Sequence, residues 1–175
     1  RIDIVDYVRA LRPETLIVSI MHGNNETGVL FPVDEYARIA KETDRSIVFH
    51  TDATQTVGKL RIDLKGEFAH VDLLSFSGHK LHAPKGIGAL FARRGTPLAP
   101  YLIGGHQEHG RRAGTENVAF IVGLAKALEL SEEHRAEEER VRRMRDRLER
   151  EIVARIPFTE GNGAGAPRLP HTLNR

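Results

Sequence analysis

Apolar residues gather along this chain in four runs of strand length, Thr15 to Met21, Ser46 to Asp52, Val71 to Phe76 and Ile87 to Ala92. Runs that are apolar at both alternating sets of positions suit buried strands of a mostly parallel sheet. Between the first two, Val33 to Lys41 changes to helical spacing, so this crossover reads as β-α-β. From about Asn117 the pattern becomes a long helix or helix pair. Val118, Ile121, Val122, Ala125 and Leu128 form one stripe and Val141, Met144, Leu148 and Ile152 another, with Ser131-Glu132-Glu133-His134 between them. Both stripes are expected to face a core. Gly161-Asn162-Gly163-Ala164-Gly165 reads as a flexible loop. The fold class these elements predict is α/β.

Composition narrows the function classes. With 175 residues, 40% of them hydrophobic, the chain has the apolar share of an ordinary globular protein and is short enough for one domain. No apolar run approaches the roughly 18 residues of a spanning helix. The start, Arg1-Ile2-Asp3, lacks the pattern of a signal peptide, so no membrane is expected and the setting implied is cytoplasmic. Having no cysteine, the chain forms neither disulfides nor thiolate metal sites.

Two charge patterns have tempting alternatives. Arginines at 140, 142, 143, 145, 147 and 150 suggest a phosphate-following helix. Glu138 and Glu139, however, precede Arg142 and Arg143 by four residues, and the net charge is only +2. That order suits ion pairs on a solvated helix face, so no nucleic acid is expected. His79 with His82, and His106 with His109, have spacing that would admit zinc. No cysteine completes either pair, and no metal is expected.

The chemistry concentrates at two strand ends. Ser77-Gly78-His79-Lys80 follows the third apolar run and precedes the turn Ala83-Pro84-Lys85-Gly86, a sequence of small residues that sets one amine at the carboxyl end of a strand. The second run delivers an acid, Asp52, at its own carboxyl end. Taken singly, Lys80 reads as a surface lysine and Asp52 as a turn or helix-cap acid. Taken together, a lysine that can form an imine and a carboxylate that keeps a pyridine nitrogen protonated are what pyridoxal phosphate (PLP) requires of a protein.

Four segments then carry a specific likeness: Met21 to Gly28 (MHGNNETG), His50 to Lys59 (HTDATQTVGK), Ser77 to Gly88, and Gly104 to Glu108 running on to Arg111 to Asn117. Together, in this order, they resemble the cysteine desulfurases of the nitrogen-fixation type, within the class V aminotransferase superfamily of fold type I PLP enzymes. The likeness spans about residues 15 to 130. It implies part of a PLP fold type I large domain, in which the strand at Ile87 to Ala92 runs antiparallel; the short Lys80 to Gly86 connection suits this.

By the same resemblance Lys80 is the Schiff-base lysine, Asp52 the partner of the pyridinium nitrogen and Gln55 the amide near the cofactor's phenolic oxygen. Ser77 and His79 match phosphate-binding positions, and Asn25 lies beside cofactor and substrate, although it also reads as a turn residue ahead of Gly28. Thr115 matches a residue that reaches the neighbouring subunit's cofactor phosphate, which implies a homodimer. Lys80, His79 and Asp52 are the catalytic candidates, and a histidine near His106 is a possible proton carrier.

The resemblance further implies L-cysteine as substrate, L-alanine as product, and an iron–sulfur scaffold protein as acceptor of the sulfur. Residues 1–130 correspond to a partial PLP-binding domain, and 131–175 to a bridging helix and the start of a small C-terminal domain. The family's nucleophilic cysteine and carboxylate-binding arginine are expected outside this sequence, which reads as a central fragment, inactive alone and with a sheet edge left bare. A class V aminotransferase or a β-elimination lyase would share Lys80 and Asp52. An inactive dimerising or scaffold-binding remnant is the alternative of another class.

Overall fold

The computed structural model describes residues 2–175. Its centre is a four-stranded sheet in the order β1 (Ile17–Met21), β2 (Val48–Asp52), β3 (Leu73–Ser77), β4 (Gly88–Ala92). β1, β2 and β3 are parallel, and β4 returns antiparallel on β3. All four anticipated strands form, each starting one or two residues late. At β2 the reason is local: Ser46 N–H donates to Asp44 Oδ1 and Ile47 N–H to Asp44 O, so these residues close a turn before the strand begins.

Helices α1 (Ile4–Ala10) and α2 (Val33–Thr43) cover one sheet face. The α2 stripe Val33, Tyr36, Ala37 and Ala40 is fully buried, as its i, i+3, i+4, i+7 spacing requires. Asp34 and Glu35 in its first turn and Lys41 in its last complement the helix dipole. These residues pack with Phe49, Val71 and Leu74 of the sheet region and with Tyr7 of α1, whose hydroxyl donates to Tyr36 O at 2.9 Å. Truncating Phe49 to alanine in this core is expected to cost roughly 3–5 kcal/mol.

Beyond β4 come a single turn, α3 (Gln107–Gly110), and two long helices, α4 (Val118–Glu133) and α5 (Glu138–Arg155). Here the expected faces are corrected. α4 buries Leu124 and Ala127, with Leu128 beside them, against Leu81 and Ala83, while Val118, Ile121, Val122 and Ala125 stay exposed. A helix that is apolar nearly all round offers more than one stripe, and small residues decide between them. A Cβ on Gly123 would lie 3.1 Å from Pro84 Cδ, so the absence of a side chain here lets α4 lie close to Pro84. In α5 no residue is buried; Met144 and Leu148 are exposed, and Val141 and Ile152 only half-buried.

The last residues return to the start of the fold. Leu169 is fully buried, its N–H donates to Gly28 O, and Leu30 N–H donates to Pro167 O. Residues 167–172 thereby brace the turn that follows β1.

Candidate active site at the carboxyl ends of the strands

Three parallel strands end on the same side of the sheet, and each hands over to a turn that carries anticipated site residues. After β1, Asn24 Oδ1 accepts from the N–H groups of Glu26 and Thr27 and from the Thr27 hydroxyl. The turn-forming work thus falls to Asn24, and Asn25 is left exposed at the tip. Gly28 closes the turn at φ +73°, where a Cβ would meet Thr172 at 2.6 Å.

At the end of β2, Asp52 is exposed and pairs in register with Met21 on one side and Ser75 on the other. Its Oδ1 accepts from Thr54 N–H at 2.8 Å, which fixes the carboxylate while leaving Oδ2 uncommitted. The turn that follows is anchored by Thr56, whose buried hydroxyl meets His22 Nδ1 at 2.9 Å, and it presents Gln55 half-buried. Burial pushes the His22 imidazole down to about 4 against a weaker opposing pull from Asp34.

β3 ends at Ser77, and a 3₁₀ turn, Gly78–Leu81, follows immediately. Gly78 is required there, since a Cβ would lie 2.9 Å from Ile87 Cγ2 and 3.0 Å from Ile87 O. Leu81 is buried and anchors the turn, which leaves His79 and Lys80 exposed. His82 closes it in the left-handed region at φ 62°, an uncommon conformation for a residue with a side chain.

Among the described residues, the Lys80 amine, the Gln55 amide, the Ser77 hydroxyl and the Asn25 side chain have no hydrogen-bond or ion-pair partner. Lys59 Nζ donates to Gln55 O at 3.2 Å, and burial followed by the Lys80 charge lowers its pKa. His171 is likewise lowered, first by burial and then by Lys59, Arg145 and Lys80. This end of the sheet is therefore electropositive and suited to an anionic ligand.

Thr115 is not at a strand end. It is exposed in the loop between α3 and α4, ahead of Asn117, which caps α4 by accepting from Phe120 N–H. His106 lies in the same exposed region, where Glu108 and His109 take positive φ.

One feature that sequence reasoning missed is a row of polar side chains across the open sheet face. Ser19 Oγ lies 2.7 Å from His50 Nδ1, and His50 Nε2 lies 2.9 Å from Ser75 Oγ. The signal was present in the alternation of Val48 to Asp52, which puts His50 on the same face as Asp52.

The Asp52 carboxylate, the Ser77 hydroxyl, the His79 imidazole and the Lys80 amine thus lie at the carboxyl ends of adjacent parallel strands, the place where α/β sheets bind ligands. The chain belongs to the class-V aminotransferase family, whose model matches residues 1–174. It is 54% identical over 175 residues to the cysteine desulfurase of Gluconacetobacter diazotrophicus, covering 99% of this chain and 43% of that protein. It is 50% identical to the cysteine desulfurase NifS of Azotobacter vinelandii, covering 99% and 42%. Among solved structures, DndA from Streptomyces lividans superposes with a TM-score of 0.85 at 38% identity, over 98% of this chain and 48% of that one. A NifS-like protein gives 0.82 at 38% identity, over 87% and 42%. The chain thus spans less than half the length of these relatives, and its four-stranded, mostly parallel sheet is part of the NifS-like fold.

Proposed function

We propose that this chain is part of a PLP-dependent cysteine desulfurase, which converts L-cysteine to L-alanine and retains the sulfur as an enzyme persulfide. The observation that carries the reading is the uncommitted Lys80 amine on the turn after β3, next to the strand that ends in Asp52, in a chain about half identical to named cysteine desulfurases.

The residues present fit the cofactor. Lys80 offers a free amine to a carbonyl, Asp52 Oδ2 is free to hold a proton on a ring nitrogen, and Gln55 has an amide for a phenolic oxygen. Ser77 and His79 flank Gly78 in an electropositive region and would take the phosphate, with Asn25 beside ring and substrate. When bound, PLP supplies an electron-accepting ring that stabilises negative charge at the substrate's α carbon. Asp52, by keeping the ring nitrogen protonated, maximises that capacity. The Lys80 amine, or a nearby histidine, would move the α proton. A cysteine thiolate from outside residues 1–175 attacks the substrate sulfur; the C–S bond breaks, the persulfide keeps the sulfur, and the carbon takes a proton to give alanine.

In this reading Thr115 reaches the cofactor phosphate of a second subunit in a homodimer, and the persulfide sulfur passes to an iron–sulfur scaffold protein in the cytoplasm. In the same reading, residues 1–130 form the partial PLP-binding domain, and 131–175 a bridging helix and the start of a small C-terminal domain.

The test uses the full-length protein. Lys80→Ala is expected to abolish the visible absorbance of lysine-bound PLP and to lower cysteine turnover by at least roughly a thousandfold. Normal turnover in that variant would sink the assignment. Alanine formed together with protein-bound sulfur separates a desulfurase from a β-elimination lyase, which releases sulfide, and from an aminotransferase, which yields a keto acid.

A further inference from the structure

The polar row on the open sheet face is out of place in its surroundings. Ile17 and Met21 flank Ser19 on β1, and Leu73 and Leu90 are the register partners of His50 and Ser75. A surface that alternates in this way could have been apolar throughout, yet one serine, one histidine and a second serine meet across three strands at 2.7 and 2.9 Å.

The register gives these bonds their meaning. His50 is paired with Ser19, directly across β1, but its Nε2 reaches past its own β3 partner, Leu73, to Ser75. Ser75 is the residue paired with Asp52, and its carbonyl accepts from Ala53 N–H at 2.9 Å. The imidazole thus ties the strand that carries Asp52 to the strand that continues through Ser77 into Lys80, and to the strand that leads to Asn25. We propose that His50 is the positioning residue of the site, its imidazole, held between Ser19 Oγ and Ser75 Oγ, fixing the carboxyl end of β2 and the Asp52 carboxylate against the strand that delivers Lys80.

This inference rests on the proposed function, because it assigns His50 a role through the group that Asp52 would hold. A neutral imidazole has one N–H and one lone pair, so it accepts from one serine hydroxyl and donates to the other. Burial lowers the pKa of His50 more than the neighbouring Asp52 carboxylate raises it, which favours the neutral ring. A neutral neighbour leaves the charge of Asp52 undivided for a ring nitrogen, where a cation would compete for it.

The test compares full-length wild type, His50→Leu and His50→Gln for PLP affinity, for the absorption spectrum of the bound cofactor, and for kcat and KM with L-cysteine. Losing both bonds is expected to weaken PLP binding by about tenfold. The His50→Leu spectrum should shift, and kcat should fall more than KM rises. His50→Gln, which can donate and accept while neutral, is expected to restore affinity to within about threefold of wild type. If His50→Leu does not fold, Ser75→Ala decides, with weaker PLP binding and a shifted spectrum expected. A foldable His50→Leu with wild-type affinity and spectrum overturns the proposal, as does a Gln variant no better than Leu, or a silent Ser75→Ala where that variant decides. Wild-type protein that takes up no PLP overturns the proposed function, and this inference with it.

Discussion

The two ends of the sheet treat polar side chains in opposite ways. At the amino ends of β2 and β3, Asp72 pairs with Lys41 at 2.5 Å and accepts from Phe49 N–H at 2.8 Å, and Lys41 also donates to Ile47 O. Arg93 closes the same end by donating to the carbonyls of Val71, Leu64 and Phe68. At the carboxyl ends, Asp52 has one oxygen engaged by its own turn, and Lys80, Gln55 and Ser77 have no partner among the described residues. Charge that serves the fold is saturated by the fold, whereas charge available for chemistry is held in position and left open. An open cleft of about 840 Å³ lies at the saturated end, lined by Lys41, Asp72 and Arg93 among others, so the volume lies away from the proposed site.

The sharpest way to break this comparison is to neutralise one aspartate at each end of the full-length protein. Asp52→Asn removes the carboxylate proposed to face the ring nitrogen, and turnover is expected to fall by roughly a thousandfold or more with little change in melting temperature. Asp72→Asn leaves Lys41 largely buried without its counter-charge, which should cost roughly 2–4 kcal/mol of stability. The Asp72 variant should keep most of its turnover at temperatures where it stays folded. Unfolding measured by denaturant titration, beside a cysteine turnover assay, reads both effects, and the reverse assignment of losses would end the distinction.

What the sequence made legible follows the same division. The strands and the β-α-β crossover were readable because burial imposes a period on local sequence, and Lys80 and Asp52 because each interrupts an apolar pattern at its end. Contacts made across long separations left no such mark. Arg93 reaches carbonyls 22 to 29 residues away, and the His50 bonds span 31 and 25 residues, so no spacing rule announces either. Asn24 and Asn25 are identical in type and adjacent, and only the backbone shows which one makes the turn. For α4, the buried face is the one on which Gly123 fits closely against Pro84, a matter of shape that no pattern announces.

His22 sharpens the comparison from inside the site end, because it is a titratable group there that the fold has saturated. Its N–H donates to Asp52 O, its Nδ1 meets Thr56, and its ring packs edge-on to Phe68. Burial holds its folded pKa at about 4, well below the roughly 6.5 of an ordinary imidazole. Between those values the unfolded chain binds a proton that the folded chain refuses. Stability is therefore complete above about pH 6.5 and is lost as the pH falls towards 4, by roughly 3 kcal/mol in total. His22→Asn should be less stable than wild type at pH 7, with the gap closing towards pH 4. Denaturant midpoints of the two proteins that stay parallel across this range would show that His22 does not stay neutral in the fold.

The smallest effects belong to α5, where neither treatment of charge applies strictly. The expected Glu138–Arg142 pair does not form; Arg142 instead lies 3.7 Å from Glu139, and Arg140 pairs with Glu137 at 2.5 Å. On an exposed helix, neighbouring acids compete for the same arginine at nearly equal energy, so spacing predicts that pairs form but not which ones. Arg142→Ala should accordingly change stability by less than about 0.5 kcal/mol. Glu138 is the exception within the helix, since one carboxylate oxygen is buried without a partner and burial raises its pKa. The folded state then holds a proton on Glu138 more tightly than the unfolded state does, so ionisation opposes folding once the pH exceeds the unfolded pKa. Glu138→Gln should therefore be slightly more stable than wild type at pH 7, and this advantage should shrink below about pH 4.5 as the wild-type carboxyl protonates. A loss of stability at pH 7 would instead mean that Glu138 contributes an ion pair in solution, which would move it to the saturated class represented by Asp72.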